Sequence, residues 1–242
     1  MNSHANCPAM GSGIGSAKSE LATGQPWYKP VISVGADSEG RKHVYKAFRF
    51  SRGLLGRYFR FLALHEFKML KKVEHLKFTP SQVHRHLGAS PTIHYRFIEG
   101  NAIKAVAQSN GAPEGFFSQL FNDVKTMHQS GVVHLDLGNS GNVLVSREGH
   151  PVVIDFGSAI PTDKLPPMVK DWALRKDLIG VLKLWDRFDR ESMPELLQDY
   201  FRKHYRKNIY TPKRFAKAAR RWVTGYALFA PVPSLAKNRS EP

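Results

Sequence analysis

The sequence predicts an α+β fold in two lobes, a small strand-rich one followed by a larger, mainly helical one. Three observations predict it. Short strand-like runs and one long helical pattern fill the chain up to about residue 98. Past that point the strand signal narrows to one hairpin of two short apolar runs. Helical patterns make up most of what remains, and no internal repeat is present.

Residues 1–25 carry Gly, Ser, Asn and Pro without periodicity and read as a flexible start. Within them, Gly11-Ser12-Gly13-Ile14-Gly15-Ser16 has backbone amides free to approach a phosphate. The glycines are spaced two apart and no clear strand precedes them, so a phosphate-covering loop and a plain tail remain equally open. The small lobe spans 26–98. Pro30 to Val34 reads as a strand, Gly35 to Gly40 as an ordinary connecting turn, and His43 to Phe48 as a second strand. Arg57 to Leu76 is helical, because Leu62, Met69, Leu70 and Val73 recur at helical spacing. Thr92 to Ile98 is the last strand of this lobe and ends at Glu99-Gly100.

The large lobe spans 99–230, with a tail over 231–242. Pro113 to Gln129 is an amphipathic helix with Phe116, Phe117, Leu120, Phe121, Val124 and Met127 on one side. Val143-Leu144-Val145 and Val152-Val153-Ile154 form the hairpin, joined by the polar turn Arg147-Glu148-Gly149-His150. Helical patterns follow near 171–187, 192–206 and 212–229. Thr211-Pro212 supplies a capping hydroxyl and a first-turn proline for the last of them.

Composition narrows the function classes. The 242 residues are 42% hydrophobic, enough for a sizeable core. Cys7 is the single cysteine, which excludes a disulfide framework and any multi-cysteine zinc site. No apolar run approaches the roughly 18–20 residues that span a bilayer, and Met1 to Ser19 lacks the apolar stretch of a secretory signal. A cytoplasmic protein is the expectation, with peripheral contact to an inner membrane compatible with it. The formal net charge of +16 favours anionic partners: phosphorylated substrates, lipid surfaces or nucleic acid.

The most informative segment is Val132-Val133-His134-Leu135-Asp136-Leu137-Gly138-Asn139-Ser140-Gly141-Asn142-Val143. Asn142 enters one strand of the hairpin and Asp155, in Asp155-Phe156-Gly157, leaves the other. Both side chains therefore sit at one end of it. Two oxygen ligands at such a point suit Mg²⁺, which shares its remaining positions between phosphates and water. Asp136, just upstream, is placed to orient or deprotonate an attacking hydroxyl.

His134-x-Asp136, Asn142 and Asp155-Phe156-Gly157, in that order, resemble the catalytic and metal-binding loops of protein-kinase-like enzymes. The resemblance implies that Asp136 is the catalytic base and that Asn142 and Asp155 hold the metal. It also asks for a strand lysine on the nucleotide phosphates and a helix glutamate to hold it. Lys46 lies on a strand face with Val44 and Phe48. Glu66 lies in the apolar stripe of its helix, one turn from Leu62 and from Leu70. A carboxylate facing a core is costly unless paired, and Lys46 is its natural partner. Tyr95 to Gly100, including Glu99, looks like the segment between lobes whose backbone meets adenine. A plain strand end is the alternative. ATP and Mg²⁺, with Mn²⁺ as a substitute, are the implied cofactors.

From about Lys42 to Phe229 the chain looks like bacterial lipopolysaccharide core-sugar kinases and RIO-like kinases. Phe97-Ile98-Glu99-Gly100, Phe116-Phe117, His128 and Arg175-Lys176-Asp177-Leu178 carry that likeness. Asp177 resembles the aspartate that braces the catalytic loop, with a solvated helix acid as the alternative. Departures from protein kinases point to the acceptor. Leu135 stands where arginine is usual, Gly138 where lysine is usual, and Asn142 is six residues past Asp136, one more than the usual spacing, so a bulge is expected at Gly138 to Gly141. About a dozen residues separate Gly157 from the next helix, expected at Asp171. That leaves little room for a peptide platform, so a core sugar or similar glycan is the expected acceptor.

The alternatives are a RIO-like serine/threonine protein kinase and a pseudokinase scaffold. The basic region from Arg202 to Arg221, followed by Trp222, Tyr226 and Phe229, suits an anionic membrane presenting a glycolipid, or equally a solvated face. RNA is a third, less favoured partner of that region.

Overall fold

The computed structural model describes residues 29–37, 39–48, 53–87, 91–205, 232–233 and 235. Gly11, Gly13 and Gly15, the predicted helix over 212–229 and most of the basic C-terminal region lie outside these residues.

The N-terminal lobe is a four-stranded antiparallel sheet with one long helix. Its strands are β1 (Val31–Ala36), β2 (Lys42–Ala47), β3 (His84–His86) and β4 (Thr92–Arg96), in the order β1-β2-β4-β3. The turn between β1 and β2 is fixed by Asp37. Its Oδ1 accepts from the amides of Glu39 and Arg41, each at 2.9 Å, while Gly40 (φ 76°) takes the left-handed position. The Arg41 guanidinium holds the Asp37 carboxyl far below the usual carboxylate range, outweighing what burial does to raise it. Lys46 pairs with Ile93 in the register, so Lys46 and the buried Ile93 share the inner face of the sheet.

α1 (Gly53–Val73) packs against that sheet. Gly56, Phe59, Ala63, Met69, Leu70 and Val73 are buried at i, i+3, i+4 and i+7 spacing, and Glu66 is buried among them. The chain after α1 crosses to the other lobe at Phe78, whose carbonyl accepts from the Val153 amide at 2.8 Å.

The C-terminal lobe holds β5 (Gly100–Ala102), α2 (Ile103–Ser109), α3 (Phe116–Gln129), β6 (Val132–Val133), β7 (Val143–Ser146), β8 (Pro151–Val153), β9 (Ile160–Pro161), α4 (Pro167–Phe188) and α5 (Glu195–His204). β5, β7 and β8 form one small sheet, and β6 and β9 another. The predicted apolar side of α3 is fully buried and Phe117 stacks on Trp185 of α4 with ring centroids 6.0 Å apart. Gly131 (φ 76°) closes α3 and turns the chain into β6. α4 begins at Pro167 rather than Asp171, because a proline fits the first helical turn, where no amide hydrogen is needed. Gly157 is therefore followed by only residues 158–166 before the helix.

Four strands and a helix escape the sequence patterns: β3, β5, the two-residue β6 and β9, and α2. All three residues of β3 are exposed, and β5 is three residues long. α2 has one buried residue, Ile103. None is long enough to show a period. The strand predicted to Ile98 stops at Arg96, although Phe97 still donates to the Lys42 carbonyl at 2.9 Å.

Candidate active site

The Lys46 ammonium lies between two carboxylates, 2.8 Å from Glu66 Oε1 and 2.9 Å from Asp155 Oδ1. Strand β2, helix α1 and the end of β8 each supply one member. Burial works against the charge on Lys46, but Glu66 and Asp155 outweigh it and hold the ammonium well above its usual pKa. Burial raises the Glu66 carboxyl despite Lys46. Burial also opposes the Asp155 charge, yet Lys46 more than offsets this and leaves Asp155 below the usual range. Tyr95 is pushed up to about 12 by burial beside this triad and stays a neutral phenol.

Asp136 and Asn142 form the second half. Asn142 Nδ2 donates to Asp136 Oδ2 at 2.8 Å and to the Asp136 carbonyl at 3.1 Å. Asn142 is buried, whereas Asp136 is exposed. The extra residue of the loop is taken up in a short 3-10 turn, Ser140–Asn142, capped by Asn139, whose Oδ1 accepts from Gly141 N at 3.1 Å. Asn139 also reaches back, its Nδ2 lying 3.4 Å from both Asp136 Oδ2 and Asn142 Oδ1. Sequence reading had not singled out Asn139; an Asn three residues after an Asp, ahead of glycine, was the available signal.

The two halves share one frame. Ile154 N donates to the Asn142 carbonyl at 3.0 Å, just past the Val143–Val153 pair, and Asp155 follows immediately. His134 braces the same point. Its Nδ1 accepts from Asp136 N at 3.3 Å, so the neutral ring carries its proton on Nε2 and donates to the Ile154 carbonyl at 2.9 Å. Its ring also meets Phe156 edge-to-face, with centroids 4.9 Å apart.

Below the loop lies Asp177, 1% exposed. Its Oδ2 accepts from His134 N at 2.7 Å and lies 3.1 Å from His128 Nε2, and its Oδ1 accepts from Leu135 N at 2.7 Å. The solvated reading of this residue does not hold. Leu135 (φ 66°) and Asp155 (φ 64°) both occupy the left-handed region, a conformation that costs about 1–2 kcal/mol for a side chain with a Cβ. The loop also rests on α4 at Gly180, where a Cβ would lie 2.8 Å from Gly138 N. Lys183 Nζ donates to the Gly138 carbonyl at 2.9 Å.

Glu99 stands apart from these groups. Its side chain is exposed, 3.9 Å from Arg147, and its carbonyl accepts from Arg147 N at 3.1 Å. Gly100 beside it is pressed onto β7, since a Cβ there would sit 2.5 Å from the Val145 carbonyl oxygen.

The donors Asn142 Oδ1, Asp155 and Asp136 are all oxygens, the chemistry a hard divalent cation takes. Among the described residues no three His, Cys, Asp or Glu side chains form a complete metal cage. An ion here would therefore draw its remaining ligands from phosphate and water, as Mg²⁺ does. Taken together, the site offers a fixed ammonium for phosphate oxygens, oxygen ligands for a cation and an exposed carboxylate for a proton.

A family model described as RIO domain matches residues 37–210, well over half of the chain. No curated protein matches it closely enough to count as similar.

Proposed function

The chain belongs to the RIO domain family, a protein-kinase-like family, and on that footing we propose that it is an ATP-dependent phosphotransferase acting on an acceptor hydroxyl. The observation that carries this reading is the Lys46 ammonium between Glu66 and Asp155, framed together with Asp136 and Asn142 by the Ile154–Asn142 hydrogen bond.

In this mechanism the acceptor oxygen forms a bond to the γ-phosphorus as the bond to the ADP oxygen breaks. The proton of the acceptor passes to the exposed Asp136 carboxylate. Asn142, donating to Asp136 Oδ2, holds that carboxylate in place and leaves Oδ1 of the acid for the substrate. Lys46, kept charged and oriented by Glu66, steadies the phosphates. Asn142 Oδ1 and Asp155 would hold Mg²⁺, or Mn²⁺ in its stead, which neutralises charge on the phosphate oxygens. Most of the rate would come from positioning and fixed electrostatics.

For the acceptor, residues 158–166 leave no room for an extended peptide platform, which supports a compact hydroxyl such as that of a core sugar or related glycan. An anionic glycolipid would suit the excess of positive charge. Membership of the RIO domain family favours a second reading, a serine or threonine hydroxyl of a protein. No helix among the described residues is long and apolar enough to cross a membrane, so a lipid-linked acceptor would be met at the surface.

Asp155→Ala tests the reading. Mg-dependent ATP turnover should vanish while the variant keeps its fold by circular dichroism, and turnover equal to wild type would remove Asp155 from the site. Labelled γ-phosphate offered to lipopolysaccharide core oligosaccharide and to generic protein acceptors separates the two acceptor classes. Nucleotide binding without any turnover by the wild type would instead favour a scaffold.

A further inference from the structure

The outer face of α1 is apolar and basic at once. Leu54, Tyr58 and Phe61 are 83%, 55% and 63% exposed, and they fall at i, i+4 and i+7, one stripe along the helix. His65 continues the stripe with its ring stacked on Phe61 at 6.1 Å. Leu55, 47% exposed, lies beside it. Isolated exposed apolar residues are ordinary, but a row of large ones on a single helix marks a contact surface.

Charge tells what kind of surface. Within Gly53–Val73 the sole acid is Glu66, which is buried, while Arg57, Arg60 and Lys68 are exposed along one flank of the stripe. A depression of about 460 Å³ at the start of the helix is lined by Gly53, Leu54, Gly56, Arg57 and Arg60. Apolar knobs projecting from a helix bordered by cations fit a soft anionic interface.

We propose that the outer face of α1 docks onto an anionic lipid bilayer, with Leu54, Tyr58 and Phe61 entering the headgroup region and Arg57 and Arg60 on lipid phosphates. The helix would lie along the membrane plane without crossing it. The same helix carries Glu66 inward to Lys46, and His65 Nε2 lies 2.7 Å from the Ala159 carbonyl just past Asp155. Leu54, Tyr58 and Phe61 are exposed and thus separate from the buried side of α1 that carries Glu66 to Lys46. The proposal goes beyond phosphotransfer and does not depend on it.

The test is flotation of the full chain, without nucleotide, on vesicles of phosphatidylcholine alone and with about 30% phosphatidylglycerol. Wild type should partition onto the anionic vesicles and leave them as salt rises. The charge-neutral pair Leu54→Ser and Phe61→Ser should weaken partition about tenfold, and Arg57→Gln with Arg60→Gln by a similar factor. Lys170→Gln, an exposed charge on α4, should leave binding within about twofold. Both double variants are exposed changes and should keep the wild-type Tm; if the serine pair unfolds, the glutamine pair decides. Failure of wild type to bind anionic vesicles, or unchanged binding by the serine pair, overturns the proposal. A dimer in sedimentation that the serine pair dissolves, without vesicle binding, assigns the face to a second copy instead. Because no ATP is present, loss of the phosphotransfer reading would not alter any of these outcomes.

Discussion

Asp177→Asn keeps the shape of the side chain that holds the Val133–Asp136 segment and changes only what its second atom can accept. The carboxylate takes two backbone amides, His134 and Leu135, each at 2.7 Å, and stands 3.1 Å from His128. Asparagine retains one acceptor oxygen and turns an NH₂ toward the other amide. One hydrogen bond to a charged group, about 1.5–3 kcal/mol, is lost, and the stranded buried amide adds about 1–3 kcal/mol, relieved in part by rotation. A net loss of about 3 kcal/mol corresponds to a Tm about 6–12 °C lower for a chain of this size. The effect on turnover follows from Leu135. Its left-handed φ of 66° is maintained by that hydrogen bond, and once released it relaxes and carries Asp136 with it. Turnover should fall about a hundredfold, with a smaller rise in the KM for ATP, because His134 links the perturbed segment to Ile154 beside Asp155. Scanning fluorimetry and steady-state phosphotransfer measure the two. A variant with wild-type Tm and wild-type kcat would refute the bracing role of Asp177.

Glu66→Gln leaves Lys46 paired to Asp155 but strips the buried ammonium of its more buried carboxylate, so stability should fall by about 1–3 kcal/mol. kcat/KM should drop at least about tenfold as Lys46 loses its second anchor. Gly180→Ala places a Cβ 2.8 Å from Gly138 N; backbone must shift, at about 1–3 kcal/mol in urea unfolding, with turnover falling more than stability. Asp123, on α3, is pushed up to about 6 by burial, and its Oδ2 has no hydrogen-bond partner. Its folded pKa lies above its unfolded value of 3.8, so the stability it contributes is present below pH 3.8 and is lost as pH rises through about 6. Asp123→Asn should therefore flatten the pH dependence of Tm between these values and raise Tm at pH 8; an unchanged profile would contradict the assignment.

Much of the fold could be read from the chain because its main elements are long enough to show a period. Phe116, Phe117, Leu120, Phe121, Val124 and Met127 announced α3, and all are buried. Glu66 was legible for the opposite reason, as a charge placed where a charge does not belong without a partner. The short pieces were not legible. β3 is an all-exposed His-Arg-His and α2 buries one side chain, so tertiary contact alone selects their conformation. Asp177 could be seen on its helix but not weighed, because its partners are amides 42 and 43 residues away in sequence. The glycines that matter most, Gly180 and Gly100, owe their importance to backbone passing close by in space, which no local pattern encodes.

The hydrogen bond from Ile154 N to the Asn142 carbonyl has a consequence for how this chain can tolerate change in length. Pairing in a hairpin moves in whole residues, so Asp155, one residue beyond the Ile154 that faces Asn142, either keeps that place or shifts by a full step. Upstream, an added residue can be folded into the Asn139–Asn142 turn before that bond is reached, which is where the sixth residue after Asp136 has gone. Downstream, the Arg147–His150 turn can likewise lengthen away from the chemistry. Insertions are thus absorbed on either side of a single fixed point, and spacing within the motif can drift while its geometry does not.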